Sequence, residues 1–151
     1  SYGIDEIVTS SLSTAPCQYG VLDYGDDGSF EYHTKTVDMA AWASRTGNKN
    51  RHLLNFPEYS KKMLERVFYN KVMDTYKNSD IPRHDKAQMA NLYAKLNVYS
   101  YAGKAVEIVS EVVEDPAYQL WEEYGGNDIL YQYMQEIVRD AVVDYNHFER
   151  K

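Results

Sequence analysis

From Pro57 to Tyr145, apolar residues recur at spacings of three and four, and this 3.6-residue period commits more than half of the chain to amphipathic helices. Punctuation within the run divides it. Pro57 suits a first helical turn, and Met63, Leu64, Val67, Phe68, Val72 and Tyr76 form a stripe that Asn78 and Ser79 break. Asp80 and Pro82 open a second helix with Met89, Leu92, Tyr93 and Leu96 as its apolar side. Ser100 precedes a further stripe of Ala102, Ala105, Val106, Val109, Val112 and Val113, and the two are predicted to form an antiparallel helical hairpin. Asp115 and Pro116 start a short helix over 117–124, which Gly125 and Gly126 end. The last helix begins near Asn127 or Asp128 and carries Leu130, Tyr133, Met134, Ile137, Val138, Ala141, Val142 and Tyr145.

The residues before Pro57 follow another pattern. Gln18 to Tyr24 and Ser29 to Thr36 are rich in Tyr, Val, Phe and Thr, and the Gly25–Gly28 sequence GDDG between them is a turn signal, so a β-hairpin is expected. An isolated ribbon is marginal in water, so Val21, Leu22, Phe30 and Tyr32 should lean on the helices. Residues 36–44 predict a short helix anchored by Trp42. The expected fold is therefore mainly α, a compact bundle or stacked helical hairpins of five or six helices with a small N-terminal β-hairpin. At 151 residues the chain is sized for one domain over 1–151, with an arm at 1–16, the hairpin at 17–36 and a helical core at 57–148.

Composition narrows the function classes. Hydrophobic residues make up 44% and charged residues 26%, which supplies an ordinary interior and excludes wholesale disorder. No apolar run reaches the roughly 20 residues of a membrane helix, and the N-terminal residues lack a signal-peptide pattern, so a mature, soluble, intracellular chain without membrane insertion is expected. Cytoplasm, the inside of a particle and the mitochondrial matrix side remain equivalent at this level. Cys17 stands alone, with nothing in its neighbourhood to lower its pKa, and is expected to be a small residue near a turn.

The net charge of −7 is distributed in blocks. Residues 1–44 hold seven acids against one base, residues 45–100 eleven bases against five acids, and the remainder eleven acids against four bases. Fields of opposite sign steer partners or copies of the chain, and an excess of 15 Tyr over 4 Phe and 2 Trp raises the prior for a binding surface.

Catalytic patterns are sparse. His33, His52, His84 and His147 are scattered without the paired spacing of a metal site, no glycine-rich phosphate loop occurs, and adjacent Glu122 and Glu123 project in different directions on a helix. No cofactor is implied, and an enzyme would need a site assembled only by the fold. Phosphate contacts are the less favoured alternative: Lys61, Lys62 and Arg66, with Arg45, Lys49, Arg51, Lys71 and Lys77 around them, could line a nucleic acid backbone, with His52, Tyr59 and Tyr69 stacking on bases.

The segment from His84 to Pro116, with Leu92-Tyr93, Gly103-Lys104-Ala105 and the closing Asp115-Pro116, resembles tetratricopeptide-type helical hairpins. Through Lys95–Asn97, Glu107–Asp115 and Leu130–Asp140 the chain is also similar to the subunit Va family of cytochrome c oxidase. The likeness covers about half of the chain, and it implies a non-catalytic helical subunit of a larger complex. The functional expectation is accordingly an interaction or structural subunit of a protein assembly, a viral or phage particle included, that packs on other subunits or on itself. The alternative is an acidic inhibitor or decoy of a nucleic-acid-handling protein, presenting Glu107, Glu111, Glu114, Asp115, Glu122 and Glu123. On the last helix, Tyr131, Gln132, Gln135, Arg139 and Asp140 are expected to face away from the core, which makes Tyr131, Arg139 and Asp140 the candidate contact residues there.

Overall fold

Among residues 7–150, which are those the computed structural model describes, the helical period becomes five α-helices, two short helices precede it, and the N-terminal ribbon gains a third strand. The ribbon is formed by β1 (Gln18–Tyr24) and β2 (Phe30–Thr36), antiparallel in the register Gln18 to Thr36 and Tyr24 to Phe30. Gly28 takes φ 87° in the connecting turn, and Asp27 accepts hydrogen bonds from the Ser29 backbone and hydroxyl. Helix α1 (Met39–Arg45) is capped by Asp38, and α2 (Arg51–Leu54) by Asn50. Helix α3 (Phe56–Thr75) runs antiparallel to α4 (Arg83–Tyr101), and the two make the most extensive helix pair in the molecule. A 3-10 turn (Ala105–Glu107) leads to α5 (Val109–Glu114), α6 (Pro116–Gly125) and α7 (Ile129–Asp140). The chain then returns as β3 (His147–Arg150) on the free edge of β2.

This architecture is the mainly α fold with a small N-terminal ribbon that the hydrophobic pattern predicts. The predicted hairpin partner at 102–113 differs: no breaker stands between Leu96 and Tyr101, so α4 continues, and Gly103 (φ 69°) turns the chain into the 3-10 segment instead. The helical hairpin is α3 with α4. Met63 and Val67 point outward at 43% and 56% exposure, because Leu64, Phe68 and Val72 suffice to meet α4. Trp42 is likewise exposed, and Ala43 is the buried residue of α1.

The core centres on Trp121. Its indole N–H donates to the Met89 carbonyl at 3.0 Å, which fixes α6 against α4. Tyr93, Tyr76 and Tyr131 surround the ring at centroid distances of 5.5, 5.9 and 6.2 Å, the last of them stacked. Tyr131 is therefore not on a solvent face as expected. It is 7% exposed and packs against Gly125, where a Cβ would come within 2.9 Å of the Tyr131 side chain. The buried stripe of α7 is Leu130, Tyr131, Met134 and Ile137, followed by Ala141 just past the helix. Helix α7 ends at Asp140, so Val142 and Tyr145 fall outside it and are exposed, while Tyr133 occupies the wetter side.

Two expectations follow from this core. Tyr131→Ala should lower unfolding free energy by about 3–5 kcal/mol and Ile137→Ala by about 2–5 kcal/mol in urea titrations, both being deletions of buried volume. The second concerns alkali. Burial pushes the Tyr93 phenol up to about 12, Tyr76 is raised further by burial with Asp128 beside it, and Tyr118 and Tyr131 shift the same way through burial. A neutral phenol favoured by the fold contributes stability below the unfolded value near 10, and that contribution disappears as pH climbs through the folded value. Melting temperature should thus be flat up to about pH 10 and fall between about pH 10 and 12, with a burst of tyrosinate absorbance at the unfolding transition.

Candidate phosphate-binding groove

Basic residues collect where α2, α3 and α4 meet. Asn55 ends α2 and precedes α3 directly, with Pro57 in the first turn of α3. That sharp elbow brings the His52 ring to 4.3 Å from the Tyr59 ring. Two adjoining depressions open there, of about 380 Å³ and 570 Å³, and Lys62 and Arg66 border both. Arg51, His52 and Tyr59 line the smaller one, and Lys61, Tyr69, Asn91, Lys95 and Tyr99 the larger. Five cations thus face two carboxylates, Glu58 and Glu65, in a chain whose overall charge is −7.

The pairings within the groove are weak ones. Lys62 lies 3.0 Å from Glu58 and Lys61 4.0 Å from Glu65, both at i,i+4 on exposed helix surface, where solvent screening leaves such pairs little to contribute. The Lys62 ammonium also holds the Glu58 carboxyl below its ordinary range, through a hydrogen bond and direct attraction. Lys95 reaches Glu111 of α5 at 2.5 Å. The Lys61 ammonium sits 5.8 Å from the centre of the Tyr99 ring. Arg66 is exposed and makes no ion pair among the described residues. Exchangeable cations beside half-buried aromatic faces can hold phosphate oxygens while planar bases stack alongside.

The sequence-predicted contact residues fall elsewhere. Glu107 is turned to Lys104 at 3.1 Å and Glu111 to Lys95, so both acids neutralise bases of their own domain. Glu114, Glu122 and Glu123 are exposed, and Asp115 caps α6 by accepting from the Ala117 N–H. Arg139 contacts Glu136 and lies 3.5 Å from Asp140. Lys61, Lys62 and Arg66 are the set that the fold does bring together.

Asn91, Lys95 and Tyr99 were missing from the sequence-derived set. Their spacing of four along α4 was the available signal. The bases of α3 alone do not share one stripe; a groove forms because α4 lies alongside and supplies Lys95. Among the described residues no group of three or more His, Cys, Asp or Glu is arranged to hold a metal ion. Cys17 is buried, and burial raises its thiol pKa. The histidine–carboxylate pairs His33–Asp23 (3.7 Å) and His147–Glu31 (3.2 Å) belong to the sheet and do not line the groove. No helix among the described residues is long and apolar enough to cross a membrane.

These features define a mainly α domain with a cationic, aromatic-lined groove on its two longest helices. Residues 38–144 match the C-terminal domain of cyclic nucleotide phosphodiesterase, and the chain belongs to that family. No curated protein matches the sequence. Membership corrects the expectation of a non-catalytic structural or decoy subunit, since the matching family takes its description from an enzyme. All of α1 to α7 and every residue lining the groove lie inside the matched span, whereas β1, β2 and β3 lie outside it.

Proposed function

We propose that this chain serves as the substrate-holding domain of a phosphodiesterase that acts on nucleotides, with the α2–α3–α4 groove binding the phosphates of the substrate. The observation that carries this reading is the convergence of Lys61, Lys62, Arg66 and Lys95 beside Tyr59, Tyr69 and Tyr99, within the span that matches a cyclic nucleotide phosphodiesterase domain. Phosphodiester cleavage requires that a substrate be held with its reacting phosphorus fixed, and charge-assisted contacts to the flanking phosphates supply that orientation. In this reading Arg66 and Lys62 make the central contacts, Lys61 and Lys95 flank them, and the Tyr rings accept bases without selecting among them.

The reading predicts that a fluorescein-labelled single-stranded RNA binds the parent chain at low salt, with affinity that falls as salt rises. Replacing Lys61, Lys62 and Arg66 together by Gln should weaken binding at least about tenfold and flatten the slope of log affinity against log salt by about two, since each lost phosphate contact removes roughly 0.7 from it for a single strand. Equal affinity and equal slope in parent and variant, measured by anisotropy, would refute the assignment.

A further inference from the structure

Behind the groove lies a second concavity of different character, about 330 Å³ in volume, and its lining is almost wholly apolar. Phe56 and Pro57 come from the first turn of α3, Val98 and Ala102 from the last turns of α4, and Pro16 and Val37 close it from the N-terminal side. Lys61 and Lys104 also line it, yet each keeps almost half of its side-chain surface in water (47% and 45%), so their aliphatic stems form wall and their ammonium groups stand at the mouth. No carboxylate of the described residues lines the cavity. Glu65 and Glu107, which pair with these lysines at 4.0 and 3.1 Å, lie outside it.

The contents of such a space are constrained by its walls. The concavity opens to solvent, and water against its apolar lining finds few partners there. Ser60 is buried, and its hydroxyl already donates to the Pro57 carbonyl at 3.1 Å. A sugar or a nucleobase would bury several donors and acceptors that this lining does not answer. A purely apolar guest, in turn, would leave Lys61 and Lys104 with only their exposed pairings to Glu65 and Glu107. The volume lies at the small end of the range for ligand pockets, about 300–1,000 Å³.

We propose that this cavity binds a small amphiphilic anion: an aliphatic body of medium chain length with a single carboxylate head. The body rests on Phe56, Val98 and Ala102. The head lies between the Lys61 and Lys104 ammonium groups, near the N-terminal end of α3, whose dipole also favours negative charge. The cavity shares Lys61 and Tyr99 with the groove, whereas Ala102 and Lys104 line the cavity and not the groove, so variants at those two positions test it separately from the nucleotide reading. Of the lining, Pro16 lies outside the residues matched to the family and Val37 immediately precedes them.

The test is calorimetric titration of the full chain with sodium octanoate and, separately, with 1-octanol. Octanoate should bind with one site per chain. Ala102→Leu, which fills the floor of the cavity, should abolish binding of both compounds. Lys104→Gln, an exposed change, should weaken octanoate about tenfold, leave 1-octanol unchanged, and leave RNA binding as in the parent. Absence of octanoate binding to the parent chain overturns the proposal. So does undiminished octanoate binding by a folded Ala102→Leu variant, or an equal loss of both compounds in Lys104→Gln. If Ala102→Leu melts below the parent, the Lys104→Gln contrast between anion and alcohol decides alone.

Discussion

The Trp121 indole is the contact on which the rest of the molecule depends. A ring of that size, fully buried, must place its N–H on an acceptor, and the Met89 carbonyl of α4 is the one it finds. That bond anchors α6 to α4, and Tyr131, its ring nearly parallel to the indole at 6.2 Å between centroids, packs α7 against the same side chain. Tyr76 and Tyr93 close the remaining sides, so the aromatic excess of the chain is spent first on this centre. Helix α4 is consequently buried along Met89, Ala90, Leu92, Tyr93, Leu96 and Asn97, and its remaining sides are left for α3 and for the groove.

How much of this was legible in the sequence can be stated element by element. The two ribbon strands were readable because GDDG fixes a turn and β-branched and aromatic residues flank it. The starts of α3, α6 and α7 were readable because Pro57, Asp115 with Pro116, and Asp128 carry local chemistry that acts before any packing. Rotation of α7 was not. Leu130, Met134 and Ile137 define a stripe that Tyr131 can flank on either side, and the choice is made by Gly125, whose missing Cβ opens the space that Tyr131 enters. Strand β3 was not readable either, since His147–Arg150 is exposed and has no alternating pattern; it pairs because β2 presents an unfilled edge.

The groove shows the same division between local and long-range information. Lys61, Lys62 and Arg66 were visible as bases, but on one helix they spread around the axis and read as a solvated surface. Only the antiparallel placement of α4 brings Lys95 and Tyr99 beside them. The acidic C-terminal third, which in sequence looked like a separate negative face, partly folds back on this positive segment through Glu111 and Lys95. Charge blocks in a sequence therefore report on the fold's internal neutralisation as well as on its surface, and here the residual positive field survives where carboxylates are spaced i,i+4 from lysines and can exchange.

The Asn146 side chain ties the sheet to the helices. Asn146 accepts from the Gln18 amide and the Thr34 hydroxyl through Oδ1, at 3.2 and 2.8 Å, while its own amide donates to the Ala102 carbonyl at the end of α4. Its backbone carbonyl also receives the Thr34 N–H. Gln18, buried and fully engaged, holds the start of β1 immediately after Pro16 and Cys17. The residues that close the apolar cavity from the N-terminal side are thus fixed by the same network that ends α4. Because Ala102 is both an acceptor for Asn146 and part of the cavity lining, occupancy of the cavity and docking of the sheet act on one backbone position. A chain without Asn146 would lose the hydrogen bonds that join β1 and β2 to the end of α4.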